Sequence, residues 1–260
     1  MRGRETLKKI YINYRIVSGL TRRHLNSIRK GLNAEHNDRF KTQSVVFIWI
    51  PKNAGTSLYT ALNSHLDMVM LESIDKAAEF FSNKGAVTFG HMDYSKLLKK
   101  KVVSYNFDDS SYKFAFSRNP YDRAVSLYTY LKKTTPKNTT SLELKRFLST
   151  NSFLDFARLI CSSSISEIGL YNRRGLSMCN PQIRWVENIK NLDFLGKFES
   201  IQEDMKLIFS CLGLSNVSLP RLNSSNELDY RSYYCDESFN LIKAKYKEDF
   251  IRFGYDMNVL

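Results

Sequence analysis

Six consecutive apolar residues, Val45-Val46-Phe47-Ile48-Trp49-Ile50, run directly into Pro51-Lys52-Asn53-Ala54-Gly55-Thr56-Ser57, and no other junction constrains the chain as tightly. The run is short, β-branched and aromatic, which predicts a buried strand rather than a helix. Leu58 and Leu62 share one face of the helix expected to follow. A loop between a buried strand and a helix N-terminus offers unpaired backbone N–H groups and about half a positive charge from the helix dipole. Ala54 and Gly55 are small enough to let the backbone close around an anion. Thr56 and Ser57 add hydroxyl donors, and Lys52 adds a full positive charge. The junction therefore reads as a phosphate site.

It is not the GxxxxGK[ST] loop of nucleoside triphosphatases, where lysine directly precedes the Ser/Thr. Here Lys52 stands at the front of the loop, and no acidic metal partner is evident, so no metal is expected.

Further strands are expected at Ala86-Val87-Thr88-Phe89, at Tyr112-Lys113-Phe114-Ala115-Phe116-Ser117 and at Phe194-Leu195-Gly196-Lys197-Phe198. A helix is expected after Pro120, whose missing N–H costs nothing in a first turn. Another is expected over residues 201–212, and Phe239, Ile242, Tyr246 and Phe250 mark a closing amphipathic helix. Strands alternating with helices imply an α/β fold with a central, mostly parallel sheet flanked by helices. Residues 44–260 are expected to form a single domain behind a basic, helix-prone lead-in over residues 1–43.

A second anion site is readable in Phe114-Ala-Phe-Ser-Arg-Asn-Pro-Tyr-Asp-Arg-Ala-Val-Ser-Leu-Tyr128. A strand ends, Arg118 emerges, and a helix begins that carries Ser126 about two turns in. A guanidinium fork and a hydroxyl can converge there on one anion.

These two segments carry a resemblance. Residues 47–58 resemble the 5′-phosphosulfate loop of sulfotransferases that use 3′-phosphoadenosine-5′-phosphosulfate (PAPS), in particular carbohydrate sulfotransferases whose loop reads PKxGGTS. Asn53-Ala54 stands where many members carry Thr-Gly. The Arg118–Tyr128 stretch is similar to the family's 3′-phosphate motif RDPxxRxxSxY, with Asn119 in place of aspartate. Gly196-Lys197-Phe198-Glu199 with Glu203-Asp204, and Tyr246 to Tyr255, resemble later family segments. The resemblance implies a P-loop-NTPase-like three-layer fold and PAPS as donor, with adenosine 3′,5′-bisphosphate (PAP) as product. It implies that Pro51 to Ser57 hold the 5′ end and that Arg118 and Ser126 hold the 3′-phosphate. Arg123 is open between a structural and a binding role.

Sulfuryl transfer needs a base. His91 follows an expected strand in Gly90-His91-Met92-Asp93-Tyr94, and an ordinary imidazole suits proton transfer near neutrality. The segment resembles the GHxxY stretch of uronyl 2-O-sulfotransferase-like enzymes, sulfotransferase family 2, whose histidine is the proposed base. His65, near the end of the first helix, reads as structural. Lys52 is expected to stabilise the departing phosphate. In Pro181-Gln182-Ile183-Arg184-Trp185, Arg184 is a candidate contact to adenosine or to an acidic acceptor, and Trp185 a candidate core residue.

The formal charge of +13 points to a polyanionic partner without choosing one. Together with the resemblance it directs the expectation to a glycan, glycolipid or lipid-linked saccharide acceptor, with no nucleic acid. The lead-in is expected to touch an anionic membrane peripherally. Lys8, Lys9, Asn13 and Arg15 interrupt Ile10-Tyr11-Ile12, so no export signal is read, and the four cysteines are expected to be free thiols. A cytoplasmic location, peripheral to an inner membrane, is the expectation; for a truncated chain it would be the Golgi lumen. The competing readings are a P-loop-type nucleotide kinase or phosphotransferase and a basic anionic-ligand-binding module.

Overall fold

A computed structural model describes residues 44–71, 85–162, 172–173, 176–189, 192–214 and 229–260. The lead-in lies outside the described residues. Five strands form one sheet: β1 (Val45–Ile48), β2 (Val69–Met70), β3 (Ala86–Thr88), β4 (Tyr112–Ser117) and β7 (Phe194–Lys197). Their order is β2-β3-β1-β4-β7, and every pair is parallel. The two short strands between, β5 (Asn172–Arg173) and β6 (Leu176–Ser177), form a separate antiparallel pair.

The register explains why β1 is apolar throughout. Val45 and Phe47 join a cluster with Phe114, Phe116 and Phe194, covered by Leu58 and Leu62 of α1 (Gly55–Leu66) and by Met205, Ile208 and Phe209 of α7 (Ile201–Cys211). Val46 and Ile48 face the other way, onto Val87, Ala115, Tyr94, Phe107 and Trp185. Both faces of the strand are therefore buried, as in parallel sheets generally. Tyr94 opens α2 (Tyr94–Lys99) and Phe107 lies in α3 (Tyr105–Ser110). A third apolar cluster joins α4 (Pro120–Thr134), α5 (Leu142–Leu148), α6 (Phe153–Cys161), α8 (Asp236–Lys245) and α9 (Lys247–Phe253).

The α/β expectation holds: an all-parallel central sheet is covered by helices. The expected closing helix is two helices, because the chain breaks at Tyr246, which caps both. Tyr246 is fully buried and its hydroxyl donates to the Cys179 carbonyl at 2.9 Å, so this side chain turns inward where the helix changes direction. All four cysteines are free thiols. Among the described residues, no helix is long and apolar enough to cross a membrane.

Candidate active site at the carboxyl ends of the strands

Four sheet strands end on loops that meet at one edge, where open α/β sheets bind ligands. After β1, the chain enters the loop Trp49–Ala54. Lys52 and Ala54 adopt left-handed backbone, φ 71 and φ 58. Such residues cost about 1–3 kcal/mol each and are kept where surroundings over-determine them. Backbone alternating into the left-handed region is the kind that makes anion-holding concavities. Ala54 is the N-cap of α1 and supplies no side-chain cap, so the helix N-terminus is left to its backbone donors. Gly55 is required here by close approach: any Cβ would collide with the Trp49 indole.

The loop is held from behind by three side chains. Arg123 Nε donates to the Pro51 carbonyl at 3.0 Å, and Arg118 Nη1 donates to the Lys52 carbonyl at 3.0 Å. Asn53, itself buried, donates through Nδ2 to the Phe116 carbonyl at 2.6 Å and to Gln182 Oε1 at 2.7 Å. Both of those partners only accept, which fixes the orientation of the Asn53 amide.

Lys52 itself is half-buried, and its ammonium lies 4.0 Å from the centre of the Tyr130 ring. Burial and then the positive charges of Arg118 and Arg123 pull its pKa down to about 8. No carboxylate pairs with it among the described residues. An amine beside two guanidiniums, with no carboxylate of its own among the described residues, is prepared to receive an anion.

Beyond β4, Asn119 caps α4, its Oδ1 accepting from Tyr121 N at 2.9 Å. The residue that replaces the family's aspartate thus keeps the turn. Glu199 accepts from Asn119 N at 2.6 Å and from the Tyr255 hydroxyl at 2.9 Å, tying the start of α4 to β7 and to the chain's end. Arg118 is buried over the Phe198 ring at 4.0 Å, and its Nε and Nη2 grip both oxygens of Asp122 at 2.7 and 2.8 Å. Asp122, Ser126 and Tyr130 follow at four-residue spacing and so share one face of α4. That face is the wall of the site: Arg118 docks at its start and Lys52 at its end, with the buried Ser126 between.

Arg123 resolves to a structural position. It is buried, and besides Pro51 it donates to the carbonyls of Asn180 (3.1 Å) and Met178 (2.9 Å). Beside it, burial pushes the Asp249 carboxyl up to about 6, opposed by the Arg123 charge and by two backbone donors.

His91 sits three residues after β3, buried, with its ring edge-on to Trp49 at 5.4 Å. Its Nδ1 is 3.2 Å from the Trp49 carbonyl. A carbonyl only accepts, so in the neutral ring the proton sits on Nδ1 and Nε2 is the basic nitrogen. Trp185 is core, its Nε1 donating to the His91 carbonyl at 3.4 Å. Arg184 pairs with Glu187 at 2.9 Å on a partly exposed turn. His65 is exposed in the last turn of α1, and its ring lies 6.5 Å from Phe209.

The structure thus brings Lys52, Asn53, Arg118 and Ser126 to one edge and sets His91 against the same loop through Trp49. Sequence reading gave no role to Asp122 or Tyr130, nor to Gln182, although it quoted the segment of residues 181–185. The first two were signalled by the four-residue spacing from Arg118 and Ser126. No curated protein matches the chain. The family model described as the sulfotransferase family matches residues 35–256, taking in both loops, His91 and the Glu199 and Tyr255 contacts. The chain belongs to the sulfotransferase family.

Proposed function

We propose that the protein transfers the sulfuryl group of PAPS to a hydroxyl of a glycan or glycolipid. The observation that carries the donor assignment is the hydrogen bond from Arg118 to the Lys52 carbonyl, which joins the loops read as the two phosphate sites. A donor with phosphate at 5′ and 3′ needs two such sites at a fixed separation.

In this reading the 5′-phosphosulfate lies at the N-terminus of α1, taking backbone donors of residues 53–57 with Thr56 and Ser57 hydroxyls. The 3′-phosphate lies toward Arg118 and Ser126. The acceptor oxygen attacks sulfur from the side opposite the bridging oxygen. A new O–S bond forms as the old S–O bond breaks, and PAP leaves with the electron pair. The acceptor's proton passes to His91 Nε2, whose ring the Trp49 carbonyl orients. Lys52 places positive charge where the leaving phosphate gains negative charge, a preorganised interaction that costs no reorganisation in the step. A lysine with pKa about 8 is charged through most of the neutral range, and among the described residues its charge is not spent on a carboxylate.

The acceptor class rests on the carbohydrate-type loop resemblance and on the +13 charge, which favours anionic glycans and surfaces. Basic residues of the 1–43 segment would hold the enzyme against an anionic membrane where a lipid-linked saccharide is presented. The test is a ³⁵S-labelled PAPS assay against a panel of glycans and glycolipids, with the product identified. Label in a saccharide hydroxyl ester supports the reading; label only in a protein, a phenol or a sterol overturns the acceptor class.

A further inference from the structure

Gln182 belongs to none of the roles above, yet it touches both phosphate loops. Its side chain is fully buried. Its Oε1 accepts from Asn53 Nδ2 at 2.7 Å and from the Arg118 backbone N–H at 2.9 Å. Its Nε2 donates to the Arg118 carbonyl at 2.8 Å. One primary amide therefore bonds the loop after β1 and, twice, the loop after β4. Only an uncharged amide offers two lone pairs and a donor in one plane here. Glutamate would lose the donor to the Arg118 carbonyl, and methionine would fill the volume and lose all three bonds.

The amide is itself anchored. The backbone N–H groups of Gln182 and Ile183 donate to the two oxygens of Asp249 in α9, at 2.7 and 2.9 Å. The coupler is thus tied to the body of the fold, and the two loops are tied to the coupler. The Arg118–Lys52 bond also runs between the loops, but through the guanidinium that the donor reading assigns to the 3′-phosphate. The Gln182 bonds use the Asn53 side-chain amide and the Arg118 main chain, atoms that make none of the ligand contacts proposed above.

We propose that Gln182 is a positioning residue that fixes the separation of the two phosphate loops, so that both ends of the donor bind as one event. This rests on the PAPS reading. Two linked binding events gain affinity only when their sites are held at the distance the ligand spans. A ligand that touches one loop does not depend on that distance.

Calorimetric titrations with PAP, 5′-AMP and 3′-AMP separate the possibilities, run on the wild-type chain, Gln182→Met and Gln182→Glu. Circular dichroism and melting curves establish that each variant is folded. Expected is a loss of PAP affinity of about tenfold or more in Gln182→Met, with each mononucleotide changed by less than about threefold. Gln182→Glu, which keeps the shape and the bond to Asn53, should lose less than Gln182→Met. Equal losses for all three ligands, or an unchanged PAP affinity in a folded variant, would overturn the proposal, because a merely structural residue gives the former and an idle one the latter. Should Gln182→Met not fold, Gln182→Glu alone decides by the same split. Failure of the donor reading looks different: wild-type protein would then bind PAP no more tightly than either mononucleotide.

Discussion

Two lysines sit one strand apart in this sheet, one at each end, and their surroundings are opposites. Lys113, on β4 toward the amino ends of the strands, is fully buried and paired. Its ammonium lies 3.2 Å from Asp108 Oδ1 and also donates to the Asp108 carbonyl, while Tyr94 donates its hydroxyl to the same carboxylate at 2.9 Å. Lys52, just past β1 at the carboxyl ends, is half-buried among cations and an aromatic ring. The first end neutralises its buried charge within the fold. The second pairs its charge with no carboxylate among the described residues. Stability and function have been assigned to opposite edges of one sheet.

The contrast can be broken by experiment. Replacing Lys113 with methionine leaves Asp108 buried without its cation, and should cost about 3–5 kcal/mol of stability, read by denaturant unfolding. Sulfation per folded molecule should survive it. Replacing His91 with alanine should lower kcat by about 10²–10⁴-fold while PAP affinity, measured by calorimetry, stays near wild type. An equal fall in PAP affinity would make His91 a structural residue. Lys52→Met should cost about 10²–10³-fold in turnover, the scale of one lost electrostatic donor.

Unlike Lys113→Met, Lys52→Met should raise the melting temperature at neutral pH. A lysine whose folded pKa is depressed is less protonated in the native than in the unfolded chain between about 8 and 10.5. Native stability from this group therefore rises with pH across that window, and below it the charged side chain is a net cost to the fold. Removing it lifts that cost. A lower melting temperature for both variants would erase the distinction between the two ends. The smallest effect is expected at Tyr130: leucine there removes a cation–π contact of about 0.5–2 kcal/mol and should change KM for PAPS by only a few-fold.

What could be read from the sequence follows the same division. Strands β1, β3, β4 and β7 were legible because burial on both faces makes them short apolar runs. The loops after β1 and β4 were legible because phosphate chemistry needs particular residue types in local order. Strand β2 was not, since it is two residues long and partly exposed. Gln182 was not either: its partners Asn53 and Arg118 lie 129 and 64 residues away in the chain, so no local pattern reports the contact. Asp122 lies between these cases. Its four-residue spacing from Arg118 is visible, but only the fold decides whether that arginine pairs with a carboxylate of its own chain.

Lys52, which pairs with no carboxylate among the described residues, is on this account the cation that receives the donor's phosphate. Isothermal titration of PAP at pH 8, in buffers of different ionisation enthalpy, measures the protons exchanged on binding. Lys52, its pKa lowered to about 8, is only partly protonated there when free, and a neighbouring phosphate raises its pKa, so binding should take up a fraction of a proton. The uptake should vanish in Lys52→Arg, whose guanidinium stays charged throughout. Binding of PAP with no proton uptake, or with the same uptake in Lys52→Arg, would contradict the account.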